Sequence, residues 1–315
     1  MGAPLVAPLV DRLAIIGLGL IGSSIARAVR RRNVARTIVG SDAQGSVLVR
    51  VRELKLADEI AATPEEAVRG ADVVIFCVPV GANGELAKRV SPHLKPGAIV
   101  SDVGSVKAAV EAAIAPHIPA GVHLVPAHPV AGTEQSGPDA GFASLFLHRW
   151  CIITPPEGAD PGAVESVCAF WRALGSDVET MTAAHHDLVL AITRHLPHLI
   201  AYNIVGTAAD LEETLRAEVI KFSAGGFRDF TRIAASDPTM WRDVFLHNKD
   251  AVLEMLGRFN EDLSALQRMI RRGDGDGLFD LFTRTRAIRM GIVALGQETA
   301  APDFGRARED ATPGG

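Results

Sequence analysis

Residues 13–29 read LAIIGLGLIGSSIARAV: an apolar run, a glycine-rich turn, then a helical pattern. No other segment constrains the fold as tightly. Gly17, Gly19 and Gly22 form G-x-G-x-x-G. In this arrangement the first glycine allows a tight turn, the second lets backbone approach a pyrophosphate, and the third lets helix and strand pack closely. The helix N-terminus, with Leu20 and Ile21 in its first turn, faces the negative charge of such a ligand. Asp42 ends the next apolar run in VGSD, twenty residues after Gly22. A carboxylate there binds a ribose 2′-hydroxyl and repels a 2′-phosphate. Ala43 and Gln44 supply no cation for a phosphate, so the segment favours NAD over NADP. Arg12 and Arg50 are the basic residues whose placement bears on that preference.

The same rhythm continues downstream. Short apolar runs recur at 37–40, 72–78, 98–103, 122–126, 150–154 and 177–181, mostly with helix-length segments between them. Near-continuous apolar strands alternating with helices predict a parallel sheet covered on both faces. Val78-Pro79 closes one run at its carboxyl end, where open parallel sheets bind ligands. Cys77 beside it reads as a small buried residue, not a nucleophile. After Thr182 the strand signals stop and the chain reads as helical. Asp237-Pro238 supplies an N-cap and a first-turn proline. The helix behind it is expected to run to about Arg272, before Gly273 and Gly275. Along it Val252, Leu256, Phe259, Leu263, Leu266 and Ile270 step by four and three. Such a seam suits the core of a helical domain or a subunit interface. The predicted organisation is an α/β nucleotide-binding domain over 1–182, a helical domain over 183–296 and a disordered polar tail over 297–315.

Composition narrows the partners. A formal net charge of −5 gives no reason to propose nucleic acid or an anionic membrane. Arg30, Arg31 and Arg32 read as the solvated end of a helix. Cys77, Cys151 and Cys168 are odd in number and lack metal-ligand spacing, so free thiols in a reducing compartment are expected, with no metal. The N-terminus lacks the basic region of a signal peptide, and Val6 breaks the myristoylation pattern. No apolar run reads as a membrane span of about 20 residues. A cytoplasmic protein is expected.

Four later segments carry chemistry: SDVGSVK (101–107), AHPVAGTEQSG (127–137), TRHLPH (193–198) and GGFRDFTRIAASDPTMWRDVFLHN (225–248). As an ordered set they resemble the prephenate/arogenate dehydrogenase family of tyrosine biosynthesis, over about 13–291. The resemblance implies a Rossmann-type N-terminal domain followed by an all-α C-terminal dimerisation domain, with the active site between them. It implies a homodimer performing NAD-linked oxidative decarboxylation of prephenate or arogenate, with tyrosine as a candidate inhibitor. It also implies residue roles. His128 matches the catalytic histidine that engages the ring hydroxyl. Ser105 matches a serine that bonds that hydroxyl or orients the histidine, beside the cofactor. Arg232 matches a carboxylate-binding arginine. Thr133, Arg228, Asp229 and Trp241 match positions in or behind the site. His195 and His198 both fall in matching blocks, and the choice between them for the far end of the substrate stays open. Arg194 stands where serine is common, and Arg228 where some members have lysine.

The chemistry suits these residues. A neutral histidine, with reference pKa near 6.5, accepts a hydroxyl proton at neutral pH. A dianionic substrate calls for arginine, whose fork matches a carboxylate. Arg228 and Arg232 are four apart and share a face if their segment is helical, where Asp229 is able to pair with one of them. Each residue also has a plainer reading. Ser105 alone is a helix N-cap for VKAAVEAAIA, Trp241 is helix core, and His185 and His186 are structural. Two other functions compete. A β-hydroxyacid-type dehydrogenase would need a catalytic lysine, for which Lys221 and Lys249 are the choices in the helical half. A non-catalytic NAD-binding sensor would lack the set Ser105, His128 and Arg232.

Overall fold

A computed structural model describes residues 7–133, 135–210 and 225–294. Their packing divides the chain at Lys249/Asp250 into two compact units. The terminal tail from 297 and Lys221 lie outside the described residues.

In the first unit, β1 (Val10–Ile16), β2 (Ala35–Ser41), β3 (Glu59–Ile60), β4 (Val73–Phe76), β5 (Ile99–Asp102) and β6 (His123–Leu124) form one sheet. Its order is β3-β2-β1-β4-β5-β6 and every pairing is parallel. The two faces can be read residue by residue. Leu13 and Ile15 of β1, with Val73 and Ile75 of β4, belong to one apolar core. Ala14, Ile16, Val74 and Phe76 belong to the other. Successive side chains on a strand point to opposite faces, so continuous apolar runs are what a sheet buried on both sides requires. The strand order reverses between β1 and β4, and that switch point is where such sheets hold ligands.

Helix α1 (Leu20–Arg32) covers one face through Ile25, Ala26, Ala28 and Val29. It ends at Asn33, whose φ of 53° is left-handed, and Arg30–Arg32 are exposed in its last turn. Cations there complement the helix dipole. Next come α2 (Gly45–Glu53), α3 (Pro64–Ala67), α4 (Asn83–Val90) and α5 (Ala108–Ile114). The second face is covered by α3, α4 and α5.

One expectation is corrected here. The runs at 150–154 and 177–181 do not join the parallel sheet. They form β8 (Trp150–Ile153) and β9 (Asp177–Thr180) of a second, three-stranded sheet. Its third strand, β7 (Ala127–Pro129), lies antiparallel to β8 and carries His128 opposite Ile152. Three residues are too few to show a period, so β7 left no signal in the pattern. Between β8 and β9 lies α6 (Pro161–Ala173), capped by the Asp160 carboxylate on the Ala163 N–H.

From Thr182 the described residues of the first unit are helical. Helix α7 (Ala183–Leu190), a π-helical turn (Ala191–His195) and α8 (Leu196–Ala209) make one 27-residue run. By length and composition this run is apolar enough to cross a membrane, contrary to the expectation above. It also carries His186, Asp187, Arg194, His195 and His198, all used below. Then come α9 (Gly225–Thr231), a 3-10 turn (Arg232–Ala235) and α10 (Pro238–His247). Asp237 caps α10 by accepting from the Met240 N–H at 2.8 Å, as Asp-Pro predicts. The expected single helix from 238 to 272 is broken at Asn248 (φ −109°), and α11 (Lys249–Arg272) begins behind it. The reason is a long-range contact: Asn248 is 5% exposed and its amide is drawn into hydrogen bonds with the 183–209 run.

The second unit consists of the remainder of α11 and α12 (Gly275–Ala294), joined at Gly273 (φ +67°). Of the seam on α11, Val252 is buried at 5%, whereas Leu263 and Ile270 are 44% and 66% exposed. In a single chain the seam is therefore only partly core.

Candidate active site

The glycine loop shows which of its residues packing demands. Gly17 has φ +93°, and a Cβ there would overlap the Cys77 carbonyl oxygen. A Cβ on Gly22 would overlap the Gly17 carbonyl oxygen. At Gly19 a Cβ would meet nothing within 4 Å. Gly22 thus brings α1 against the end of β1, Gly17 lets the turn pass the end of β4, and Gly19 opens onto space. Behind it α1 begins with no acidic residue in its first turn. Asp42 is fixed at the end of β2, accepting from the Leu18 N–H at 2.8 Å and the Gln44 N–H at 2.9 Å. Arg12 is held in a bidentate pair with Glu59. Arg50 is held by Asp139 and Glu53.

The open space is a cleft of about 580 Å³. Its walls are Gly19–Ile21 after β1, Cys77–Val80 after β4, Val103–Ser105 after β5, the loop after β7, Arg194, Ala235–Met240 and Val244. Of the residues singled out in the sequence, Gly19, Leu20, Ile21, Val78, Pro79, Ser105 and Thr133 line it. Burial pushes the Cys77 thiol far up, so Cys77 is no nucleophile.

His128 lies behind Pro129 and is 1% exposed. Its Nδ1 is 2.8 Å from Nε2 of His186, whose Nδ1 is 2.8 Å from Oδ1 of Asp187. This chain decides the tautomers. The carboxylate only accepts, so His186 carries its proton on Nδ1 and offers Nε2 as acceptor. His128 then donates from Nδ1, which leaves its Nε2 as the basic nitrogen. Burial, and next the surroundings of His186, Arg194, Lys107 and His195, hold the His128 pKa well below 6.5. Burial likewise keeps His186 neutral despite Asp187. Asp187 is fixed in turn by the N–H groups of Lys107 and Ala108 at 2.8 and 2.9 Å. It therefore caps α5, and Ser105 does not. The capping explanation for Ser105 falls, and its side chain is left to the cleft.

Lys107 is fully buried beside Asp102. Its ammonium donates to Asp102 Oδ2 and to the Ala127 carbonyl at 2.7 Å. Asp102 Oδ2 also accepts from the Gly104 N–H at 2.7 Å. One ion pair thus ties the Ser105 loop to the strand that carries His128.

A second network lies behind the cleft. Asn248 donates to the Asp187 carbonyl at 2.9 Å, and its Nδ2 is 3.1 Å from His195 Nδ1. An amide nitrogen donates, so His195 Nδ1 accepts and the proton sits on the buried Nε2. His198 donates from Nδ1 to the Arg194 carbonyl at 2.8 Å and stacks on Trp241, ring centroids 3.7 Å apart. Burial lowers His195 to about 3 and His198 to about 4, so both are neutral. Trp241, 3% exposed, belongs to the second core and supports both rings without lining the cleft.

The remaining candidates lie farther out. Arg228 and Asp229 are exposed on α9, and Arg232 is exposed at the start of the next turn; none lines the cleft. The pitch changes between Arg228 and Arg232, so they do not share one α-helical face. Arg232 lies close enough for its charge to lower the His198 pKa, after burial and Arg194. Lys249 is exposed and outside the cleft, which removes it as a catalytic lysine. In the sequence His186 reads as structural, and Asp187, Lys107, Asp102, Asn248 and the position of Arg194 carry no role. The adjacent His-Asp after a helix cap was the one local hint. The rest is long-range packing.

A parallel sheet with a glycine loop opening on a cleft, and a buried neutral histidine beside it, is the architecture of a dinucleotide-dependent oxidoreductase. Comparison with known proteins narrows the class. The model of the prephenate dehydrogenase nucleotide-binding domain matches residues 25–180, and that of its dimerization domain matches 182–284. A cyclohexadienyl dehydrogenase of Zymomonas mobilis is 42% identical over 280 residues, 89% of this chain and 95% of the relative. The crystal structure of Aquifex aeolicus prephenate dehydrogenase, in complex with hydroxyphenyl propionate and NAD+, is 32% identical with a TM-score of 0.83, covering 90% of this chain and 98% of that one. Synechocystis arogenate dehydrogenase is 27% identical with a TM-score of 0.76, covering 89% and 99%. The chain belongs to the prephenate dehydrogenase family.

Proposed function

We infer that this protein catalyses NAD-dependent oxidative decarboxylation of prephenate to 4-hydroxyphenylpyruvate, with arogenate as the alternative substrate giving tyrosine. The observation that carries this reading is the Asp187–His186–His128 chain, which leaves His128 with a neutral, basic Nε2 beside the cleft. His128 takes the proton of the ring hydroxyl as hydride leaves the same carbon. The carbonyl that forms draws in the electrons of the breaking C–CO2 bond. The ring becomes aromatic, and its oxygen recovers a proton as the phenol. Asp187, through His186, stabilises the positive charge that His128 gains.

Bound NAD supplies the hydride acceptor. The open face at Gly19 and the α1 N-terminus suit its pyrophosphate. Asp42 suits the ribose, and Arg12 and Arg50 are committed elsewhere, which supports NAD over NADP. Val78 and Pro79 wall the same pocket. Ser105 engages the hydroxyl or positions His128, with Thr133 opposite. His195 presents its Nε2–H behind them, with His198 on Trp241. Arg232, on the turn that leads into the wall at Ala235, takes a substrate carboxylate, and Arg228 and Asp229 assist from α9. The organisation we propose is a nucleotide-binding domain over 1–182 and a helical substrate and dimerisation domain over 183–296. The exposed Leu263, Ile270 and Phe279 then meet a second copy.

The direct test is steady-state assay with both substrates and both cofactors. NAD reduction with prephenate is expected, and turnover of neither substrate overturns the reading. The pH profile is a second check. His128 serves as a base only when unprotonated, so activity is lost as pH falls through its depressed pKa and is kept above it. The acid limb of kcat/KM should lie below pH 6.5. A limb at or above that value contradicts the assignment.

A further inference from the structure

Only two of the described residues lining the cleft bear charged side chains, Arg194 and Asp237. Asp237 is engaged as the N-cap of α10. Arg194 stands on the π-helical turn between α7 and α8. Such turns mark functional sites because the extra residue re-aims side chains. The backbone carbonyl of Arg194 is fixed by His198. Its Nη2 lies 3.7 Å from where a Cβ would stand on Gly132, in the loop just after His128. The guanidinium therefore lies against the backbone of that loop, at the cleft wall. The charge of Arg194 reaches His128, His195 and His198. The histidines around it are neutral, so Arg194 is the cation that this part of the wall presents to a ligand.

We propose that Arg194 is a specificity-determining residue: it holds a side-chain carboxylate of the substrate and favours a keto-acid side chain over an amino-acid one. The proposal rests on the dehydrogenase reading above. Prephenate and arogenate share the ring, the hydroxyl and both carboxylates. They differ where prephenate has a carbonyl oxygen and arogenate an ammonium. A fixed guanidinium bonds the carboxylate and donates readily to a neighbouring carbonyl oxygen. It repels an ammonium on the adjacent carbon, and a low-dielectric protein wall strengthens that repulsion. Arg232 differs in being exposed and outside the lining, so its attraction acts on the carboxylates that both substrates share.

The test is kcat/KM for prephenate and for arogenate in the wild type, Arg194→Gln, Arg194→Lys and Arg232→Gln. For the wild type the ratio should favour prephenate. Arg194→Gln should lose roughly 10–100-fold on prephenate, the span of a charge-assisted hydrogen bond, and clearly less on arogenate. Arg194→Lys should keep the direction of preference with a smaller loss. Arg232→Gln should raise KM for both substrates together. The ratio of the two kcat/KM values does not depend on how much of a variant is folded, so partial misfolding does not blur the result. An unchanged ratio in Arg194→Gln, or equal losses on both substrates, overturns the proposal. Absence of turnover in the wild type instead overturns the reading beneath it.

Discussion

His128→Asn is expected to lower kcat by roughly 10²–10⁴-fold, the contribution typical of a positioned general base, while the protein stays folded. Asparagine is chosen for a structural reason. Its amide can replace Nδ1–H as the donor to His186 Nε2, so the buried chain to Asp187 keeps its partners. What it lacks is a basic second nitrogen. Alanine would remove that nitrogen too, but would leave a void and an unsatisfied His186 in a site where His128 is 1% exposed. The measurement is kcat on protein whose circular dichroism and thermal midpoint match the wild type. Near-wild-type kcat removes His128 from the role of base. A loss of kcat with KM little changed places the effect in the transition state, as proton transfer requires.

The parts of this machine that were legible in the sequence are those written locally. The glycine fingerprint is legible as a pattern, and Gly22 is demanded by the nearby Gly17 carbonyl, whereas Gly17 is demanded by Cys77 at the exit of β4. The six parallel strands were mostly visible because a sheet with two covered faces needs unbroken apolar runs, as β4 shows with Val73–Phe76 all buried. Asp237-Pro238 announced α10 through the chemistry of a cap. The second sheet was misread because apolar runs carry no information about which sheet a strand joins. The break at Asn248 was missed because helical periodicity runs straight through it, and its cause lies 53 and 61 residues away, at His195 and Asp187. His186 reads as structural in the sequence for the same reason. Its meaning comes from His128, 58 residues earlier. The motif points to Arg232 for a carboxylate, and it gives no sign that Arg194 lines the cleft. A motif fixes residue types in order; it does not fix which side chain reaches the open space.

Lys107→Met should destabilise the fold by about 3–5 kcal/mol, the usual cost of removing one partner from a buried ion pair. At about 2–4 °C per kcal/mol for a chain of this size class, the thermal midpoint should fall by roughly 6–20 °C. The cause is Asp102, which is fully buried and would keep only the Gly104 N–H as partner. Its carboxylate must then bind a proton or draw in water, and the Ala127 carbonyl loses its donor as well. The double variant Lys107→Met/Asp102→Leu discriminates the mechanism. With both charges gone no ion is stranded, and most of the lost stability should return. Equal destabilisation in single and double variants would show that packing around Lys107, not the pair, is what matters. Activity should not follow stability in this series. Asp102 holds the loop before Ser105 through Gly104, and Lys107 holds the residue before His128 through its carbonyl. A refolded double variant lacks both tethers, so its kcat should stay well below wild type even where its midpoint recovers. A buried pair that a hydrophobic one could replace for stability would then owe its place to the register between the serine loop and the histidine strand.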